Sequence, residues 1–130
     1  AKGEPVDHVN VGQPVRLKVR IALYADLPEL VFGYMIKDRL GQPVFGTNTH
    51  HLGARLGPLA KGEMLTLSFD FPANIGVGSY SVSTALHVAD THLAANYEWR
   101  DVALVFNVIN IDRDTFVGVN WIPPVLGCQK

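Results

Sequence analysis

The residues best equipped for chemistry lie on two long stretches in the second half of the chain. Residues 79–88 and 98–109 alternate apolar and polar side chains around a polar loop, 89–97, and read as the two strands of a hairpin. Simple register sets His87 opposite Trp99, Ala85 opposite Asp101, Ser83 opposite Ala103 and Ser81 opposite Val105, all on one face. Tyr80, Val82, Thr84, Leu86 and Val88, with Arg100, Val102, Leu104, Phe106 and Val108, form the other face, which is mainly apolar and reads as core. Small side chains floor the first face, and Trp99, His87 and Asp101 gather at one end of it. A flat indole stacks on the C–H face of a sugar ring, while imidazole and carboxylate offer hydrogen bonds to hydroxyls. A one-residue slip would exchange the faces and bring Arg100 to the groove, where a guanidinium suits an anionic group on a glycan. The competing reading makes Trp99 core, His87 a surface histidine and the small residues a packing surface under another strand.

Other constellations point to turns rather than reactions. There is no G-x-S-x-G, H-E-x-x-H, phosphate loop or C-x-x-C. His50 and His51 are adjacent, which puts their rings on opposite sides of a strand, and the five histidines show no ligand spacing. Asp112 and Asp114 flank Arg113 with too few oxygen ligands for a Ca²⁺ loop, so local charge pairing at a turn is expected. A glycosidase needs two carboxylates facing one cleft, whereas Asp101 and Glu98 fall on opposite faces by parity. No catalytic residue, metal or cofactor is therefore expected. Arg16, Lys18 and Arg20 make a modest basic stripe, of the kind that protects a strand edge from pairing with another chain.

The elements that must position the hairpin follow from alternation. In residues 15–23 the odd positions are Val15, Leu17, Val19, Ile21 and Leu23, and the even ones begin Arg16, Lys18, Arg20: a half-buried strand. Residues 30–38 and 43–49 form a hairpin about the turn 39–42, and residues 63–71 alternate again, with Leu65, Leu67, Phe69 and Phe71 on one side. Residues 50–61 read as a loop holding a single helical turn at most. Residues 115–122 read as a last short strand stopped by Pro123 and Pro124. Seven strands and no convincing helix predict an all-β, antiparallel β-sandwich over residues 1–130. Only residues 4–11 are available for a strand before the Gly12-Gln13-Pro14 turn. Such an abrupt start is expected of a domain cut from a longer protein.

Composition excludes more than it assigns. The 130 residues are 48% hydrophobic and carry a net charge of −1, without the basic excess of a duplex-binding protein, so nucleic acid is not an expected partner. No apolar run approaches the roughly 20 residues of a membrane span, and the N-terminus does not resemble a signal peptide. Cys128 is alone, so an internal disulfide is impossible, and a reducing compartment fits.

One stretch carries a family resemblance. Gly33-Tyr34-Met35-Ile36-Lys37-Asp38-Arg39-Leu40-Gly41-Gln42-Pro43-Val44-Phe45-Gly46-Thr47-Asn48-Thr49 resembles a segment of the Wzt C-terminal domain, and Phe45 to Thr49 is its most specific part. The Gly12-Gln13-Pro14 turn, Gly62-Glu63, Gly78-Ser79-Tyr80 and Val117-Gly118-Val119 fit the same pattern, so the similarity runs from about Gly3 to Val119. The resemblance implies an immunoglobulin-like sandwich at the carbohydrate-binding end of an ATPase subunit. Such subunits belong to ABC transporters that export O-antigen polysaccharide. It further implies binding of the finished glycan in the cytoplasm, typically through its non-reducing terminus, with the domain peripheral to the inner membrane through the transporter's membrane subunit. A homodimer follows, because the ATPase works in pairs, and residues 115–122 are a candidate for exchange between subunits or for pairing within their own sheet. The resemblance supplies no site residues, so the candidate carbohydrate-binding set is that of the hairpin: Trp99, His87, Asp101, Ser83, Ser81 and Arg100. The alternative function is an immunoglobulin-like interaction or dimerisation module that binds no glycan.

Overall fold

The computed structural model describes residues 7–89 and 96–129, with side chains for 7–87 and 104–129. Seven strands run in the order β1 (His8–Asn10), β2 (Pro14–Ala22), β3 (Glu29–Asp38), β4 (Pro43–Asn48), β5 (Met64–Pro72), β6 (Gly78–Ala89) and β7 (Asn96–Ile109). They form a five-stranded sheet, ordered β1-β7-β6-β3-β4, and a two-stranded sheet, β2-β5. The two make an all-β sandwich. No helix occurs among the described residues, and so none long and apolar enough to cross a membrane. Residues 49–53 make one turn, closed by Leu52 N–H donating to the Asn48 carbonyl at 3.1 Å and Ala54 N–H to that of Thr49 at 2.9 Å.

Alternation builds the core. β3 buries Leu30, Phe32, Tyr34 and Ile36 and leaves the residues between them half-buried on the opposite face. β6 adds Tyr80 and Val82, and β7 adds Val108. From the small sheet, Leu17 stands opposite Phe69 and Val15 opposite Phe71, turned onto the same core. Tyr34 lies at the centre of an aromatic group, with Phe69 edge-on at 4.9 Å and Phe71 stacked at 6.2 Å, while Phe32 stacks on Phe69 at 5.8 Å. Burial pushes the Tyr34 and Tyr80 phenols above their ordinary range, with Asp38 adding to the effect at Tyr80. The Tyr80 hydroxyl donates to the Gly76 carbonyl at 2.7 Å.

The β3–β4 hairpin forms as its sequence dictates. Asp38 Oδ1 accepts from the N–H groups of Leu40 and Gln42, both at 2.9 Å, and Gly41 takes the left-handed conformation the turn needs, φ 81°. The basic stripe on β2 is exposed but partly paired. Arg16 donates two hydrogen bonds to Asp70 across the β2–β5 ladder, at 2.7 and 3.2 Å, which holds the Asp70 carboxyl below its usual range.

One expectation is refined and one corrected. The sandwich is not wholly antiparallel, because β1 runs parallel to the end of β7, His8 opposite Asn107 and Asn10 opposite Ile109. Residues 115–122 do not form a strand. In an extended strand Phe116 and Trp121, five positions apart, would face opposite sides. Here their rings meet at 4.7 Å and both pack on the core, which a turn at Gly118, φ 109°, makes possible. Only Asn120 forms an isolated bridge, to Ile75.

Phe32→Ala should lower unfolding stability by about 3–5 kcal/mol, because it opens a cavity beside Phe69. Arg16→Ala should leave the urea midpoint nearly unchanged, since its ion pair is solvent-exposed. Equilibrium urea unfolding followed by circular dichroism checks both.

Candidate functional site

The face of the five-stranded sheet turned away from the core is set by β3. Since Leu30, Phe32, Tyr34 and Ile36 point inward, Val31, Gly33, Met35 and Lys37 lie on the outer face. The β3–β6 ladder places Val31 opposite His87, Gly33 opposite Ala85, Met35 opposite Ser83 and Lys37 opposite Ser81. On the other side of β3, Gly33 faces Asn48 and Met35 faces Gly46. The strands thus align the row Asn48, Gly33, Ala85, Trp99 across the sheet, and beside it the row Val31, His87, Tyr97.

The hairpin register differs from the simple one by two residues. Ser81 does stand opposite Val105, as alternation predicts. Beyond Val82 a bulge intervenes, in which Asp101, Val102 and Ala103 of β7 span the single residue Ser83 of β6. Past it, Trp99 stands opposite Ala85 rather than His87, His87 opposite Tyr97, and Arg100 opposite Thr84. Asp101 is accordingly in the bulge rather than opposite Ala85, and Ala103 is not paired with Ser83. The one-residue slip that would bring Arg100 to the groove is not what occurs. A shift of two preserves parity, so Trp99 keeps to the rows of Ala85 and His87. The side chains of Trp99, Arg100 and Asp101 lie outside those described.

The remaining candidates separate by burial. His87 is exposed and Ser81 half-buried, so both can meet a ligand on this face. Ser83, opposite Met35, is 0% exposed and so is covered rather than an open part of the floor. The open floor is therefore Gly33 and Ala85. A Cβ on Gly33 would be tight against β4, at 3.2 Å from the Cβ of Asn48 and 3.3 Å from the Thr47 carbonyl oxygen. The Met35 side chain leans over Gly46, whose own Cβ would meet Met35 Cε at 3.2 Å.

Sequence reasoning on the hairpin alone missed the contribution of β3 and β4. Gly33 and Asn48 reach the face only through the β3–β6 pairing, which joins strands far apart in sequence. The motif around them has a structural use as well. Thr49, buried, accepts the Phe32 N–H on its hydroxyl at 3.1 Å, and Asn48 Oδ1 accepts the His51 N–H at 2.7 Å. The His50 and His51 rings stand 6.0 Å apart in the exposed turn, and the described residues contain no group of three potential metal ligands.

The fold is an immunoglobulin-like all-β sandwich with a small-floored outer face. The family model of the Wzt C-terminal domain matches residues 1–122, and the chain belongs to that family. A solved structure of similar fold is the crystal structure of the C-terminal domain of Wzt. It has a TM-score of 0.78 and 17% identity, over 94% of this chain and 74% of that one. No curated protein matches the chain.

Proposed function

We propose that this chain is a non-catalytic recognition domain that binds O-antigen polysaccharide and couples the completed glycan to export by an ABC transporter. Membership of the Wzt C-terminal domain family over residues 1–122 is the observation that carries this reading. The outer face supports it. Gly33 and Ala85 leave a shallow trough with Asn48 at one end of the row and Trp99 at the other, and exposed His87 stands in the next row. A stacking plane beside directional polar groups is what a neutral glycan requires. Trp99, His87 and Ser81 form the proposed contact set, and Asp101 and Arg100 flank it from β7. The non-reducing terminus of the glycan is the proposed target. On this reading the domain works in the cytoplasm, joined to an ATPase domain that docks on the transporter's membrane subunit.

Dimerisation belongs to the same reading. Phe116 and Trp121 pack on their own core, so the exchanged segment is proposed to be 122–129 rather than 115–122. Val125 and Leu126 are 98% and 90% exposed, and the two-stranded sheet has no third strand at either edge among the described residues. Those exposed apolar residues also favour the second reading, an interaction or dimerisation module without glycan binding.

Trp99→Ala should abolish binding of the domain to the O-polysaccharide of its own source while the circular dichroism spectrum stays folded. His87→Ala should weaken binding more than His50→Ala. An unfolded Trp99→Ala domain, or equal effects at the two histidines, contradicts the proposed face; isothermal titration reads the affinities. Ending the chain after Trp121 should convert the dimer to a monomer by light scattering, and a shortened chain that remains dimeric rules out exchange of residues 122–129.

A further inference from the structure

At one end of the sandwich, four segments distant in sequence are tied to one another. The loop 73–76, between β5 and β6, stands in the middle. On one side, buried Ala73 exchanges two backbone hydrogen bonds with the β1–β2 turn, Gly12 N–H to the Ala73 carbonyl and Ala73 N–H to the Gln13 carbonyl, both at 2.8 Å. On the other side, Trp121 N–H donates to the Asn74 carbonyl at 2.9 Å and Gly76 N–H to the Val119 carbonyl at 2.8 Å. A Cβ on Gly76 would collide with the Gly118 carbonyl, so the terminal segment passes over the one position in the loop that lacks a side chain. The Tyr80 hydroxyl, bonded to the Gly76 carbonyl, fixes the loop to the core.

A second tie runs over the first. Asn10 Nδ2 donates to Asp112 Oδ1 at 2.7 Å, and Asn10 Oδ1 accepts the Ile111 N–H at 2.9 Å. Arg113 Nε donates to the Val11 carbonyl at 3.2 Å, and its guanidinium lies against Gly12, where a Cβ would stand 3.0 Å away. The Asp112-Arg113-Asp114 turn is therefore a clasp on the end of β1. β1 itself is only three residues long, so these side-chain bonds add to the burial of Val9 and Val11 in placing it.

We propose that the loop 73–76 is a joint that couples β1 and its following turn to the terminal segment, so that loosening either one loosens the other. The loop bonds both segments through adjacent peptide groups, Ala73 and Asn74, so a shift of the peptide that holds one is passed to the peptide that holds the other. The device gives the domain a route by which displacement of β1 reaches the surface carried by residues 122–129. It rests on backbone geometry and is independent of which ligand the outer face takes.

Amide hydrogen exchange read by NMR on the whole chain tests the coupling from both sides. Asn10→Ala removes the two side-chain bonds of the clasp, to Asp112 and Ile111, without touching residues 73–76 or 118–121. The amides of Gly76 and Trp121, as well as that of Gly12, should then exchange about tenfold faster, while core amides in β3 and β6 keep their protection. Gly76→Ala perturbs the opposite side, and the Gly12 and Ala73 amides should respond to it. Acceleration confined to the altered side in Asn10→Ala overturns the proposal even if Gly76→Ala does not fold.

Discussion

Burial of the even-numbered residues of β3 is the constraint on which the rest of the molecule depends. Leu30, Phe32, Tyr34 and Ile36 must lie under the two-stranded sheet, which commits Val31, Gly33, Met35 and Lys37 to the outer face. β3 is flanked by β4 and β6, so its parity passes into both neighbours. It turns Ala85, His87 and Ser81 outward on β6 and sets Asn48 and Gly46 beside them on β4. The proposed recognition face is in this sense the reverse side of the aromatic core. A substitution that flipped β3 would expose Tyr34 and bury Lys37, so the face cannot rearrange without loss of the fold.

The two sheets are unequal, and this has its own consequence. Two strands cannot cover the inner side of five. Leu104, paired with inward-facing Val82, remains 42% exposed, and apart from buried Ile21 the inner residues of β2 and β5 are only half-buried. The terminal residues 122–129 carry exposed apolar side chains of their own. An incompletely covered sandwich and an unburied apolar tail are complementary deficits, and a second copy of the chain is the proposed means of meeting both.

Much of this was legible in the sequence. Period-two alternation identified β2, β3, β5, β6 and β7, and the Gly41 turn gave the β3–β4 hairpin, because each depends on local steric and hydrophobic pattern. The bulge at Ser83 was not legible: two extra residues in β7 leave the alternation intact, so no polarity mismatch marks the place. The partnership of Gly33 with Ala85 was hidden for another reason, since it needs the sheet order rather than the pattern of either strand. Residues 115–122 misled because Thr, Phe, Val and Trp have strand propensity, yet Gly118 turns the chain and the aromatic pair makes its contact with the core through that turn. Among the candidate contacts, alternation found the face of His87 and Ser81, but burial of Ser83 depended on the fold around the bulge.

The central claim is that the outer face around Trp99 takes the glycan. The chain has two tryptophans, and Trp121 packs against Phe116 at 4.7 Å, so Trp121→Phe keeps a ring there and leaves Trp99 as the one indole. Emission from that domain should be titrated with the O-polysaccharide of its own source and, separately, with an unrelated one. Trp99 emission should change saturably with the first and not at all with the second. An unchanged spectrum, or the same response to both glycans, would contradict the claim.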